Sequence, residues 1–357
     1  MANHLLQVEP LRAAIRALMR GFGSLAPEIE LVTENLLQAN LTGHDSHGIG
    51  MLPRYVDAFR EGWLQPNAHV EVRLDGGATL SLDGCAGFGQ VIGHEAMRIG
   101  IDRARQQGCC ILGLANSHHL GRIGAWAEMA VAEGLISLHF VNVISRPIVA
   151  PWGGSDARLG TNPFAAGIPV EGGEPILLDF ATSIIAQGKT RVAYNKGETL
   201  LPGQMLDDKG VPTTDPRYGV VNPLGALLTF GQHKGFGLAL VCELLGGALA
   251  GGFAIHEPPG GERRIINGML TILLAPAALA DPSAFQREVQ ACLDWIKASP
   301  PRPGTDRIQV AGEPERLTRA RRLAEGIPVD ETTWAEILAA AGALGVDPAE
   351  LNRHVGL

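Results

Sequence analysis

The chain has 357 residues, more than one compact core usually spans, with 46% apolar and 18% charged residues and a formal net charge of -8. This composition excludes a disordered chain, and without any basic block it offers no footprint for nucleic acid. The apolar stretches are too short or too glycine-rich to span a bilayer, and the first is broken by Arg12, Arg16 and Arg20, so neither a membrane segment nor a secretory leader is expected.

Leu11, Ala14, Ile15, Leu18 and Met19 recur at helical spacing and are closed by Gly21 and Gly23. Ser24 is positioned to cap a second helix, with Pro27 in its first turn, running to about Asn40. A further helix is expected over Tyr55 to Gly62. Val70 to Leu74 and Ala78 to Leu82 alternate around Gly76-Gly77 and predict a hairpin. A helix from about His94 to Gln107, a buried strand over Cys109 to Leu114, a helix over Trp126 to Gly134 and a strand over Leu135 to Val143 follow. Ile176 to Phe180 reads as a buried strand, Leu201 to Pro216 as irregular, and Gly235 to Gly251 as an apolar helix approached through His233-Lys234. Pro258-Pro259-Gly260-Gly261 is expected as an exposed loop, Met269 to Leu274 as a strand and Phe285 to Ala298 as an amphipathic helix. After a Pro-rich linker over 299–304, Asp330 caps a last helix through Trp334, Ile337 and Leu338. The pattern is helical at both ends with a strand-rich middle, which predicts one helical unit from the two ends and an inserted α/β unit. The five cysteines include no Cys-x-x-Cys pair and read as reduced thiols of a cytoplasmic protein.

Two polar turns stand out. His44-Asp45-Ser46-His47-Gly48 puts two imidazoles, a carboxylate and a hydroxyl within four residues, and Asn116-Ser117-His118-His119-Leu120-Gly121 doubles the histidine again. Histidine titrates near neutral pH and can give or take a proton in a reaction, whereas Asp and Ser also serve as plain turn and cap residues. One such cluster reads as a cap; two are harder to explain that way. Gly87-x-Gly89-x-x-x-Gly93 approaches a dinucleotide fingerprint, but its spacing is one residue too long and the next strand ends without an acidic residue for a ribose. It reads instead as a turn packed tightly by glycine.

Taken together, Gly43-His44-Asp45-Ser46-His47-Gly48, Asn116-Ser117-His118-His119-Leu120-Gly121, Gly160-Thr161-Asn162-Pro163, Leu178-Asp179-Phe180-Ala181-Thr182-Ser183, Gly210 to Pro216 and Lys234-Gly235-Phe236-Gly237-Leu238 make the chain resemble the type-2 malate/L-lactate dehydrogenases. The six stretches run in the family's order and, with the tail, cover almost the whole chain. The resemblance implies NAD- or NADP-dependent interconversion of 2-oxo and 2-hydroxy acids, a homodimer and no metal. It also implies a non-Rossmann α/β fold, with a mixed-sheet cofactor-binding domain (76–284) inserted between terminal helices that form a helical domain (1–75 plus 285–357).

The resemblance also assigns site residues. His47 is expected as proton donor and His119 as its partner or as a substrate-orienting group; Ser46 orients the substrate carbonyl or merely shapes the turn. His44 and His118 are expected in supporting roles. Gly121, Arg122, Ile123, the run Leu177, Leu178, Asp179, Phe180 and Ala181, and His233, Lys234, Asn267, Gly312 and Glu313 carry over as cofactor contacts, His47 among them. One departure is Met51, where many members place a carboxylate-clamping arginine. Arg54, Arg146 or Arg122 is then left to hold the substrate carboxylate, and narrow malate specificity is not expected. Three alternatives stand beside this reading: reduction of a cyclic imine such as piperideine-2-carboxylate, a metal site built from the four histidines and Asp45, and dinucleotide binding without turnover.

Overall fold

The computed structural model describes residues 3–256 and 265–357, so the stretch 258–261 lies outside the described residues. In chain order the first part comprises β1 (Asn3–Leu6), α1 (Val8–Arg20), α2 (Ala26–Leu41), α3 (Leu52–Arg60), β2 (Glu71–Asp75), β3 (Thr79–Asp83), α4 (Gly89–Gln107), β4 (Cys109–Ser117), α5 (Gly124–Ala132) and β5 (Ile136–Ile144). Then come β6 (Phe164–Ile168), β7 (Ile176–Phe180), α6 (Gln187–Lys196), β8 (Met205–Leu206), β9 (Pro212–Thr213), β10 (Ala226–Leu227) and α7 (His233–Cys242). The chain closes with β11 (Ile266–Leu274), α8 (Pro282–Lys297), α9 (Glu313–Glu325), β12 (Ile327–Asp330), α10 (Glu331–Ala343) and α11 (Pro348–Val355).

Two large cores organise these elements. The first collects the apolar stripes of the early helices (Leu11, Leu18, Leu36) and of the C-terminal ones (Trp334, Ile337, Leu351). The termini are stitched beside it by antiparallel pairing of β1 with β12, in which Asn3 faces Asp330. Asp330 caps α10, its carboxylate accepting from Thr333 N at 2.9 Å. The second core lies against a seven-stranded sheet of order β2-β3-β4-β11-β5-β6-β7. Only β3 and β4 run parallel; the other five neighbouring pairs are antiparallel. The protein therefore has a mixed α/β fold. α4 joins the two cores: Phe88, just ahead of it, and Val91 pack in the first, while Ile92, Ala96 and Met97 pack in the second.

Several elements differ from expectation. α2 is preceded by Leu25, not capped by Ser24, whose hydroxyl instead donates to the buried Glu28 carboxylate at 2.5 Å. α4 starts at Gly89, five residues before His94, because Gly89 lets the helix begin hard against another backbone segment. β7 is a half-buried edge strand, with Leu178 38% exposed. Leu201 to Pro216 contributes β8 and β9 to a three-stranded sheet with β10. The apolar helix after His233 ends its α-geometry at Cys242 and continues as a π-helical segment over Glu243–Leu249. α6, α9, α11 and β6 were not foreseen; α9 buries no residue, so it has no apolar stripe to read.

On β5, His139 is fully buried between Thr271, 3.0 Å from Nδ1, and Ser137, 3.0 Å from Nε2, and burial lowers its pKa to about 3. The unfolded imidazole takes a proton near pH 6.5 and the folded one does not, so this contribution to stability is complete above 6.5 and declines as pH falls toward 3. Urea unfolding at pH 7 and pH 4.5 should show that decline, and His139→Gln should lose less stability between the two; an equal loss would remove His139 as a cause.

Candidate active site

The first histidine turn is built on the end of α2. Asn40 donates from Nδ2 to Asp45 at 2.7 Å and accepts from Ile49 N at 2.9 Å, drawing the chain into a 3-10 turn over Asp45–His47. A Cβ on Gly48 would fall on the Asn40 side chain, which explains the glycine after His47. Arg322 of α9 grips Asp45 with both terminal nitrogens, at 2.6 and 2.9 Å, and also donates to the Asn40 carbonyl. His44 faces Glu315 of α9 at 3.5 Å. The turn is thus fixed from both ends of the chain.

The second turn follows β4. Asn116 takes a left-handed conformation (φ 52°), as asparagine does more readily than most residues, and redirects the chain into His118-His119. Leu120 N donates to Asn267 Oδ1 at 2.9 Å, and Asn267 Nδ2 donates to the Asn142 carbonyl at 3.0 Å. A Cβ on Gly89 would land on the His119 carbonyl oxygen, and one on Gly93 on the Trp126 ring. The glycines of the near-fingerprint therefore seat the histidine loop.

These two turns bring His47 and His119 together. His47 Nδ1 lies 3.1 Å from His119 Nε2, with the rings stacked at 5.3 Å between centroids. His119 Nδ1 lies 2.7 Å from the Tyr55 hydroxyl, which accepts from Gln90 Nε2 at 2.8 Å. Tyr55, Gln90 and His119 are buried; His47 is half-buried. Burial lowers the pKa of His47; Asp179 partly offsets this, and the positive charges of His44 and Arg122 add to it. Burial also holds His119 well below its usual value, reinforced by His47, His118 and Arg54. His118 packs edge-on against the Tyr55 ring, and Ser46 sits on the exposed side of the turn, beside Gly188 of α6.

A pocket is lined by Arg122 and Asp179, whose charges bear on His47, by Leu177 and Gly312, all four expected from sequence, and by Glu315 and Arg316, which were not. Leu177 N donates to the Ala311 carbonyl at 3.2 Å, which brings the edge strand to the start of α9. Asp179 accepts from Gly124 N at 2.9 Å, so Gly121 (φ 72°), Arg122 and Ile123 wrap over it. Arg122 is 3% exposed and donates to Glu128 at 2.6 Å, yet its buried Nε has no hydrogen-bond partner among the described residues. Phe180 packs on Phe230, just ahead of α7.

The remaining expected contact residues do not line this pocket. Asn267 commits its amide to the loop and strand backbones, Glu313 pairs with Lys297 at 2.6 Å, and His233 and Lys234 are exposed at the start of α7, where His233 packs against Trp152. Met51 packs in the first core. Sequence reading missed Tyr55, Gln90, Asn40 and Arg322. Gln90 carried a signal, since an amide inside the apolar run from Phe88 to Ile92 needs a partner.

Two histidines from separate cores, joined beside a pocket that offers buried arginine and a carboxylate, suit proton transfer next to a bound anion. Residues 6–338 match the family model described as malate/L-lactate dehydrogenase, and the chain belongs to that family of oxidoreductases. It is similar to hydroxycarboxylate dehydrogenase B of Escherichia coli strain K12, with 46% identity over 353 residues covering 98% of this chain and 97% of the relative. It is also 34% identical to the Delta(1)-pyrroline-2-carboxylate/Delta(1)-piperideine-2-carboxylate reductase of Pseudomonas syringae pv. tomato, over 89% of this chain and 91% of the relative. Among solved structures, sulfolactate dehydrogenase from Methanocaldococcus jannaschii superposes with a TM-score of 0.86 at 30% identity, covering 97% of this chain and 99% of that one.

Proposed function

We propose that the chain uses NADH or NADPH to reduce small 2-oxo acids of the hydroxypyruvate, glyoxylate and phenylpyruvate type to 2-hydroxy acids, and runs the reverse oxidation. The observation that carries this reading is the His47–His119 pair at 3.1 Å, open on the His47 side and set beside the Arg122 pocket. The residues of that pocket, of the edge strand β7 and of the start of α9 would hold the dinucleotide, which would supply or accept the hydride. The buried Arg122, whose Nε has no hydrogen-bond partner among the described residues, and the neighbouring Arg316 fit a pyrophosphate.

As the substrate oxygen gains negative charge, His47 gives it a proton from Nε2, and His119 holds the His47 ring in place. In oxidation His47 takes that proton back. Arg54 of α3 holds the substrate carboxylate: its charge bears on His119, and the charges of Arg191 and Arg146 bear on it in turn. Met51 cannot serve from within the core, and Arg122 is engaged with Glu128. Arg54→Leu should therefore raise KM for 2-oxo acids about 10- to 100-fold, as expected for loss of one charge-assisted contact, with a smaller effect on kcat. An unchanged KM would move the clamp elsewhere.

We assign residues 1–75 plus 285–357 to a helical domain and 76–284 to the cofactor-binding domain. The shared first core supports the former, although α8 hydrogen-bonds through Gln286 to the turn between β6 and β7. A homodimer is supported by the exposed apolar side chains Leu240, Val241, Leu244, Leu249 and Phe253 on and after α7, and sedimentation equilibrium should give about twice the 37.7 kDa chain mass. A cytoplasmic setting is supported by five free cysteines; no described helix is long and apolar enough to cross a membrane.

The likeness to the Pseudomonas reductase favours a second reading, reduction of a cyclic imine acid. Loss of NADH and NADPH absorbance with hydroxypyruvate, glyoxylate, phenylpyruvate, oxaloacetate and pyruvate, run beside piperideine-2-carboxylate, tests both. Turnover of several 2-oxo acids supports the first; turnover of the imine alone replaces it.

A further inference from the structure

We propose that Tyr55 and Gln90 are positioning residues that, through His119, fix the tautomer of His47 and relay a proton to it. This rests on the reading that His47 meets the substrate oxygen. A phenol has one proton, and the Tyr55 oxygen accepts from Gln90 Nε2 at 2.8 Å, so that proton is available to His119 Nδ1 at 2.7 Å. With Nδ1 accepting, neutral His119 carries its proton on Nε2, which faces His47 Nδ1 at 3.1 Å. His47 Nδ1 accepts in turn, so neutral His47 carries its proton on Nε2. That nitrogen has no hydrogen-bond partner among the described residues, and it lies on the ring of the pair that is only half-buried.

The charged and titratable groups around the chain favour this arrangement. His119 faces His47, His118 and Arg54, and His47 feels His44 and Arg122; with burial, and against the opposing pull of Asp179 on His47, they keep both imidazoles neutral near pH 7. A neutral imidazole that gives up its only N–H proton becomes an imidazolate unless a proton reaches its other nitrogen. The chain supplies one. As substrate C2 receives the hydride, its oxygen takes the His47 Nε2 proton, His47 Nδ1 takes the His119 Nε2 proton, and His119 Nδ1 takes the Tyr55 proton. The phenolate accepts from Gln90, and a water proton resets the chain after product leaves. Burial raises the Tyr55 phenol far above its usual range, so its proton stays in place until a stronger base, the alkoxide, forms.

The test is histidine tautomer assignment by proton–nitrogen NMR on the full chain with 15N-histidine, without substrate or cofactor, at pH 7.5. His47→Gln and His119→Gln identify the signals. Both imidazoles are expected in the Nε2–H form. Gln90→Glu places a carboxylate that only accepts, which turns the phenol around and should switch both rings to Nδ1–H. Tyr55→Phe should abolish the preference of His119 and lower kcat about 10²-fold, with little change in KM. His119 in the Nδ1–H form in the wild type, or unchanged tautomers in Gln90→Glu, would overturn the proposal. Should a variant fail to fold, the wild-type tautomers decide alone. Expected tautomers with an undiminished kcat in Tyr55→Phe would overturn the relay, whereas retained turnover in a His47 variant would instead remove the reading on which it rests.

Discussion

Replacing His47 by alanine is expected to lower kcat about 10²- to 10⁴-fold while leaving the affinity for NADH or NADPH nearly intact. The asymmetry follows from where the groups come from. His47 stands on the 3-10 turn after α2, and among the described residues its side chain has His119 as its one hydrogen-bond partner, so its removal takes the proposed proton donor and little else. The pocket proposed for the dinucleotide is lined instead by Arg122, the edge strand β7 and the start of α9. Steady-state turnover together with fluorescence titration of the reduced cofactor separates the two effects. A variant that still turns over at the native rate would show that His47 is not the donor; one that also loses the cofactor would place His47 in binding.

The second large effect is expected from the smallest change. Gly89→Ala puts a Cβ onto the backbone carbonyl of His119, which no side-chain rotation can relieve. Either α4 or the histidine loop has to move, at a cost of about 3 kcal/mol, the upper part of the range for overpacking. The loop also carries the pair, so turnover should fall together with Tm. Gly342→Ala provides the comparison: its Cβ would meet only Pro348 at 3.7 Å, and the protein should be nearly unaffected. Native melting of Gly89→Ala by calorimetry would show that the contact has room to yield.

Much of this was legible because it rests on residue types that need particular geometry. The two histidine turns and the hairpin of β2 and β3 emerged from local spacing, whereas Asp179 and the segment from Gly121 to Ile123 were singled out by the resemblance, and the structure sets them side by side. The near-fingerprint was rightly set aside, but its use was invisible: Gly89 and Gly93 serve contacts with residues about 30 positions away. Tyr55 was hidden for a different reason. It sits among Leu52, Val56 and Phe59, and a phenol on an apolar helix stripe looks like core until its hydroxyl is seen to meet His119. α9 was missed because it packs through arginines, which reach Asp45, Gln38 and Glu174, and leaves no periodic apolar signal. Asn267, expected at the cofactor from the resemblance, also has a structural task that the sequence did not announce: its amide holds the Leu120 backbone.

α4 is the shaft on which both cores are mounted, Val91 in one and Ile92 in the other. His47 travels with the first core and His119 with the loop seated on Gly89, so their bond spans the seam between the cores. The proposed catalytic pair is therefore complete only once parts far apart in sequence have docked. A nascent or partly frayed copy that has formed its sheet but not closed its ends would have an idle imidazole and no reactive pair. Incomplete molecules of this protein would be silent, with chemistry switched on only by the finished fold.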